Sequence, residues 1–494
     1  MAVRLYSAAQ VREFDRRAIE VCGIPGQTLM ERAAQAAWRA ARRRWPEKRR
    51  VVVLCGPGNN GGDGYLLACL AKAEGCAVQV FEFDDLPRRG DALTARAAWR
   101  AVGDIECWNE AAAELLEAAD LIVDAIYGIG FSRAPEAEVA AAIAASNRAR
   151  GHGRVVLALD IPSGLLADTG HQPGLAIEAD LTVTFIAAKI GLLTGQGPAL
   201  TGELELATLE VPVSVHEGIA PVARRCDRSE LRQWLPPRRR TGHKGDHGHV
   251  LLVGGNRGLT GAILLAGRAA LRAGAGLVTV ATRDSHAALL AAAQPDLMVR
   301  GVESAADLAV LLERADVVAV GPGLGTDDWS RAMFELAVSA GLPAVVDADA
   351  LNLLARRASP LHRQDWLLTP HPGEAGRLLG SDTASVQRDR VAAVQALQAR
   401  HGGAVVLKGA GSLIADAGGL RLCPYGNPGM GVGGMGDVLT GISAAFLAQG
   451  LPVDQAAAAA VTVHALAGDA VAASGERGLI ASDVVVALRA LVNP

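Results

Sequence analysis

Aromatic side chains are scarce, 4% of 494 residues, and nowhere do they interleave with a basic tract. A nucleic-acid-binding face has no support in such a chain. Neither sign of charge dominates: 48 Lys and Arg stand against 52 Asp and Glu, a net charge of −4. The short clusters Arg42-Arg43-Arg44 and Arg238-Arg239-Arg240 read as solvated surface and, for the second, as part of a linker. Cysteine is sparse and odd in number. The seven residues (Cys22, Cys55, Cys69, Cys76, Cys107, Cys226, Cys423) form no CxxC pair, which excludes a disulfide framework and a zinc ribbon. Several sit in apolar segments, as reduced thiols packed like small hydrophobes do. The opening Met1-Ala2-Val3-Arg4-Leu5-Tyr6 has no apolar core behind it, so no signal peptide is expected. The most apolar stretch, near residues 456–473, is alanine-rich and broken by His464 and Asp469, unlike a membrane span. No short internal repeat occurs. These absences leave a soluble, cytoplasmic protein without a nucleic-acid or membrane partner as the expectation.

What is present is core-forming material. Half the residues are hydrophobic, dominated by Ala, Val and Leu, and the length implies two or three domains. Ser7-Ala8-Ala9-Gln10 and Thr28-Leu29-Met30-Glu31 fit capping boxes, predicting two opening helices. Apolar runs at 51–55, 78–83, 121–126, 155–161, 181–186 and 203–209 predict strands alternating with helices. A second series follows at 249–253, 277–281, 317–320, 344–347, 366–369 and 405–408. Between them Pro221, Pro236-Pro237 and the arginine cluster break the pattern. The expected division is a domain at 1–215, a linker at 216–240 and a domain at 241–494. Both domains are read as α/β, the first a doubly wound sheet with its functional loops at the strands' C-terminal ends.

Two glycine-rich segments carry most of the functional signal. The first is Gly56-Pro57-Gly58-Asn59-Asn60-Gly61-Gly62-Asp63-Gly64, read as a loop ahead of a helix at 65–74. The second is Gly426-Asn427-Pro428-Gly429-Met430-Gly431-Val432-Gly433-Gly434-Met435-Gly436-Asp437, opening a helix at 437–448. Glycine runs leave backbone N–H groups bare, and a following helix adds its positive end, so both suit anion binding. Neither is a Walker loop, because the GK[ST] ending is missing.

In the first half two further strand ends join that loop: Asp124-Ala125-Ile126-Tyr127-Gly128-Ile129-Gly130-Phe131-Ser132-Arg133 and Asp160-Ile161-Pro162-Ser163-Gly164. Singly each is a turn. Together, in a parallel sheet, they converge on one crevice. Asn60, Asp124 and Ser163 offer only oxygen, so a metal there is a hard, weakly polarising cation. GPGNNGGDG, DAIYGIGFSR and LDIPSGLLADTG, in this order and spacing, resemble the NAD(P)H-hydrate epimerase domain, a Rossmann-like three-layer fold. The resemblance implies potassium held by Asn60, Asp124 and Ser163. It implies substrate contacts from Asn59, Asn60, Gly61, Gly62 and Asp63, from Gly128, Ile129, Gly130, Phe131, Ser132, Arg133 and Ala134, and from Asp160. Asp160 is the expected acid/base group, with Lys189 as a helper.

In the second half Lys408-Gly409-Ala410-Gly411-Ser412, Gly321-Pro322-Gly323-Leu324-Gly325 and Thr369-Pro370-His371-Pro372-Gly373-Glu374 stand at other strand ends. At the head of a helix, Asp437 can take a proton from an attacking hydroxyl while bare amides steady a moving phosphoryl group. GNPGMGVGGMGDVLTG with TPHPGEAGRL, KGAGS and HKGDHGHVLLVGG resembles the ribokinase-like NAD(P)H-hydrate dehydratase domain. That family spends ADP, or ATP in some members, with Mg2+ on the nucleotide. It implies nucleotide contacts from Lys408, Gly409, Ala410, Gly411 and Ser412 and from Asn427, Pro428, Gly429, Met430, Gly431, Val432, Gly433, Gly434, Met435 and Gly436. Substrate contacts are implied for Gly323, for His371, Pro372, Gly373, Glu374, Ala375, Gly376 and Arg377, and for Asp437, the catalytic base. Family members most often carry alanine where Gly431 stands. His243, His247 and His249 lack a companion cysteine or carboxylate arrangement, so Lys244 meeting a phosphate is preferred over a metal there. Ser482 reads as a helix N-cap.

Together the motifs imply a repair enzyme for hydrated NADH and NADPH, working with ADP and expected to form a homo-oligomer. Two other readings stay open: a ribokinase-superfamily kinase for a vitamin precursor or sugar, and a non-catalytic nucleotide sensor.

Overall fold

Buried valine- and leucine-rich strands form the frame of both halves. The structure, a computed structural model, describes residues 3–83 and 88–494. Met1 and Ala2, where the expected first domain begins, lie outside them. The chain divides into two bodies, residues 4–223 and residues 224–494 with Val3. The stretch expected as a linker, 216–240, includes the strand Ala223–Arg225 and the helix Leu231–Trp234. Cys226 and Leu231 there are buried in the second body's core.

In the first body seven parallel strands lie in the order Ile105–Cys107, Ala77–Glu82, Arg50–Cys55, Leu121–Ala125, Val155–Leu159, Leu181–Phe185 and Glu203–Ala207. Chain order reverses between Arg50–Cys55 and Leu121–Ala125, the position at which a doubly wound sheet opens a crevice at its C-terminal edge. Leu121–Ala125 is buried along its whole length, as a sheet covered on both faces requires.

Ser7 caps the helix Ala8–Glu20 through a complete capping box, its Oγ accepting from Gln10 N at 3.2 Å. The second expected box does not form. The helix Gly26–Arg44 starts three residues earlier, from Pro25, without a side-chain cap. The rigid φ of proline sets the helix entry there, and Glu31 instead accepts from Gln27 Nε2 at 3.1 Å.

The first glycine segment also departs from expectation. Residues 59–64 are not a loop but the opening turns of the helix Asn59–Ala73. Its glycines serve close approach, not positive φ. A Cβ on Gly61 would fall 2.0 Å from Gly56 O, and one on Gly64 would fall 2.6 Å from Ala125 Cβ. Gly61→Ala is therefore expected to destabilise this body by about 1–3 kcal/mol, as overpacking does, read as a lowered Tm in thermal unfolding.

The second body lays out Met298–Gly301, Leu277–Thr282, His249–Val253, Val317–Val320, Ala344–Val346, Trp366–Leu368 and Ala404–Leu407 as parallel strands. The antiparallel hairpin Ser412–Asp416 and Gly419–Cys423 extends the sheet, with Ala223–Arg225 parallel to its second strand. The helix Met435–Ala448 packs on Thr260–Arg272 so tightly that a Cβ on Gly441 would fall 2.1 Å from Ala266 O. The last helix spans Ala481–Leu491 with Ile480 at its cap, so Ser482 lies inside it. The Asp483 carboxylate does the capping, accepting from Ile480 N at 3.1 Å. Among the described residues no helix is long and apolar enough to cross a membrane.

Two candidate active sites

At the crevice of the first body the ends of four strands and the helices Ala8–Glu20 and Asn59–Ala73 enclose a cavity of 730 Å³. Asn59, Asn60, Asp63, Gly128, Ile129, Gly130, Phe131, Ser132, Arg133 and Asp160 all line it. Gly61, Gly62 and Ala134 are not on its wall. The first two are taken up in packing against Gly56 and Met30.

Asp160 follows the strand Val155–Leu159 with φ 66, a left-handed backbone that few non-glycine residues adopt. Its Oδ1 accepts from Phe185 N at 3.0 Å and from the Lys189 ammonium, while Oδ2 lies on the side of Gly128. Lys189 is wholly buried, not solvated, and donates further to Thr184 Oγ1 and Phe185 O, both at 2.9 Å. Chain curvature at Asp160 and three fixed partners on Lys189 thus hold one carboxylate at the cavity wall.

Beneath it lies the oxygen cluster. Asp124 is fully buried and accepts from Ser163 N at 2.7 Å, Ser163 Oγ at 2.6 Å and Ile126 N at 3.2 Å. Burial holds its carboxyl up at about 6, against the pull of those hydrogen bonds. Asn60 donates through Nδ2 to Tyr127 O at 3.1 Å, but its buried Oδ1 meets no partner among the described residues. An orphaned amide oxygen near a buried carboxylate lacking a counter-charge fits a hard cation.

In the second body the strand ends bring together groups from five segments. Lys408 ends the strand Ala404–Leu407, and its Nζ donates to Asp347 Oδ1 at 2.7 Å and lies 3.9 Å from Glu374 Oε2. Thr440 Oγ1 donates to the other Asp347 oxygen at 2.7 Å. Burial works against the Asp347 carboxylate, yet Lys408 and Thr440 hold it below its ordinary range. Gly436 lies directly over this pair: a Cβ there would come 3.2 Å from Lys408 Nζ and 3.5 Å from Asp347 Oδ2.

Asp437, in the first turn of Met435–Ala448, is pushed to about 7 by burial and by the Asp347 charge, with Lys408 opposing. Glu374 is likewise raised to about 7, mainly by burial. His371 caps the helix Pro372–Leu379, its Nδ1 accepting from Gly373 N at 3.0 Å. Arg377 on that helix donates to Asn352 Oδ1 at 2.7 Å. The turn around Gly323 is tied by Gly325 N to Asp349 Oδ2 at 2.8 Å.

Within the glycine loop Asn427 and Gly426 N are both anchored on Asp469 at 3.0 Å, and Gly434 takes φ 91 to cap the helix. Both His249 ring nitrogens are engaged, with Arg314 O and Thr279 Oγ1 at 2.7 Å. That leaves no open imidazole at His249 for the metal reading.

Sequence reasoning missed Asp15, Asp347 and Thr440. Asp15 belongs to no motif. Asp347 and Thr440 stood next to motifs that were read, Asp347 ending an apolar strand run as Asp124 does, which is the signal that could have found it.

A family model described as NAD(P)H-hydrate dehydratase matches residues 250–489, and one described as YjeF-related protein N-terminus matches residues 26–191. The bifunctional NAD(P)H-hydrate repair enzyme of Coxiella burnetii is 46% identical, covering 99% of this chain and 99% of its own. That of Escherichia coli is 44% identical, covering 99% of this chain and 94% of its own. Among solved structures, a ribokinase-like superfamily protein from Enterococcus faecalis covers 54% of this chain and 94% of its own, with 32% identity and a TM-score of 0.50. With both halves matched and similarity running the length of the chain, this protein belongs to the bifunctional NAD(P)H-hydrate repair enzymes.

Proposed function

We propose that the two bodies divide one repair task at the residues described above. The enzyme is an isomerase and a lyase: its N-terminal part interconverts the R and S hydrates of NADH and NADPH, and its C-terminal part dehydrates the S form. The observation that carries the assignment of sites is a lysine–carboxylate ion pair at each crevice, Lys189 with Asp160 and Lys408 with Asp347. In the first, Asp160 is the acid/base group for epimerisation at the hydrated carbon, with the substrate laid along residues 59–63 and 128–134. Asn60, Asp124 and Ser163 would hold potassium, which supplies positive charge where substrate phosphates bind.

In the second, Asp437 removes the proton of the substrate hydroxyl as the terminal phosphoryl group of ADP moves to that oxygen. Phosphate then leaves and the dihydronicotinamide ring is restored. Residues 408–412 and 427–436 cradle the nucleotide, with Mg2+ carried on its phosphates, and Gly323 and residues 371–377 position the substrate. The Lys408 ammonium, fixed by Asp347, offers a preorganised positive charge to the transferring group. We expect a cytoplasmic enzyme that acts as a homo-oligomer on small molecules alone.

One assay tests the reading. With a mixture of both epimers and ADP, the absorbance of reduced cofactor is expected to return completely. Recovery of the S fraction alone removes the epimerase assignment. A stable phosphorylated product would identify a kinase, and no turnover a sensor.

A further inference from the structure

The helix Ala8–Glu20 lies ahead of the stretch matched by the N-terminal family model, which begins at residue 26. One of its side chains nevertheless reaches the cavity: Asp15 lines it together with Asp63, Asp160 and Lys189. The helix's own pattern places it there. Val11, Phe14 and Ala18 are buried, and Asp15 stands at the edge of that apolar face. The Asp15 carboxyl is half-buried, and no described residue hydrogen-bonds to it.

The neighbouring carboxyls differ from it. Asp160 is ion-paired with Lys189 and bound by Phe185 N. Asp63 is 8% exposed, and burial, then the charges of Asp160 and Asp15, hold its carboxyl well above the usual carboxylate range. Burial, then the Asp160 charge, brings Asp15 to about 6, against the pull of Lys189. The cavity's remaining charged groups are Arg12, Asp91 and Arg133.

Inverting a carbon that bears a hydroxyl beside a ring nitrogen requires two proton movements. The C–O bond breaks as the hydroxyl takes up a proton and departs as water, while the nitrogen lone pair forms a C=N bond. Water then adds to the opposite face, the C–O bond re-forms, the C=N pair returns to nitrogen, and a proton is released. One water leaves, one enters, and no oxidation state changes. One enzyme group must hold a proton and another must be free to receive one.

We propose that Asp15 is the second proton-transfer group of the epimerisation, protonating the leaving hydroxyl while Asp160 receives the proton of the incoming water. This rests on the epimerase reading of the cavity. The two carboxyls exchange roles in the reverse direction, as interconversion demands.

The test follows R-to-S conversion from pH 5 to 9 with the full chain, resolving the epimers chromatographically, for wild type, Asp15→Asn and Asp15→Glu. A donor must be protonated, so the wild-type rate should fall as pH rises through its pKa. In Asp15→Asn, kcat is expected to drop at least about 100-fold with KM within about threefold, and that alkaline limb to vanish. In Asp15→Glu the limb should persist at a displaced pH. Thermal unfolding and ADP-dependent dehydration of pure S epimer should match wild type. A kcat within about threefold of wild type in Asp15→Asn, or a limb unmoved in Asp15→Glu, overturns the proposal. Should Asp15→Asn prove insoluble, the limb in Asp15→Glu decides alone. Failure of the wild type to interconvert the epimers would instead overturn the epimerase reading.

Discussion

Asp437→Ala is expected to abolish ADP-dependent recovery of reduced cofactor, with kcat for the S hydrate falling between about 100- and 10,000-fold. Interconversion of the R and S hydrates should continue at the wild-type rate, because that chemistry belongs to the other body. The size of the effect follows from the position of the carboxylate. It stands in the first turn of Met435–Ala448, close to the Lys408–Asp347 ion pair, whereas Glu374 is bound by His371 N at 2.8 Å and Asp349 by Gly325 N at 2.8 Å.

The pH profile supplies a second check on Asp437. Burial and the Asp347 charge raise its carboxyl to about 7. A base must be deprotonated, so below that pH kcat/KM for dehydration should decline by about tenfold per unit, and above it level off. In Asp437→Ala the residual rate should lack that limb. Persistent ADP-dependent repair in the variant would remove the base from this position.

Asp160→Asn is expected to suppress epimerisation by at least about 100-fold while leaving dehydration of the S hydrate intact. In the coupled assay only the S fraction of a mixture would then be restored. Asparagine is the informative replacement. Asp160 has φ 66, and asparagine is among the few residues that enter the left-handed region readily, so the backbone survives the change. Lys189 keeps its bonds to Thr184 and Phe185 O, and the amide retains the shape of the carboxylate. What disappears is the charge and the capacity to accept a proton. Unchanged interconversion would show that Asp160 is not the acid/base group.

Much of the frame was legible because buried parallel strands appear as unbroken apolar runs. His249–Val253 and Val317–Val320 have the expected bounds, and the others differ by one or two residues. Strands with exposed faces escaped. Ile105–Cys107 and Met298–Gly301 lie at sheet edges and lack an apolar run. The hairpin Ser412–Asp416 and Gly419–Cys423 was hidden behind the reading of residues 408–412 as a glycine turn, and its connection Ala417-Gly418 lacks the Asn-Gly or Asp-Gly pair that marks a tight hairpin.

The sites were legible where glycine marked them. Glycine did not say which kind of constraint it met: in residues 59–64 the need was helix-to-strand contact, which composition cannot distinguish from a phosphate-binding loop. Asp15 was invisible for another reason. Its helical face brings it to the cavity, and no local pattern separates such a carboxylate from a solvated one.

The contact of Gly436 with the Lys408–Asp347 pair sets how freely the second glycine segment can diverge. At 436 a Cβ would press on the Lys408 ammonium at 3.2 Å, at 429 it would fall 2.6 Å from Glu476 O, and at 434 the left-handed backbone excludes most residues. Gly431 is different: it is exposed, has φ −76, and a Cβ there meets only Pro428 O at 3.2 Å. The segment is thus a mosaic, with a rim open to mutational drift and a floor closed to it. A library that randomised all its glycines alike would spend much of its diversity on 426, 429 and 434, where backbone angle or a close backbone contact opposes a side chain.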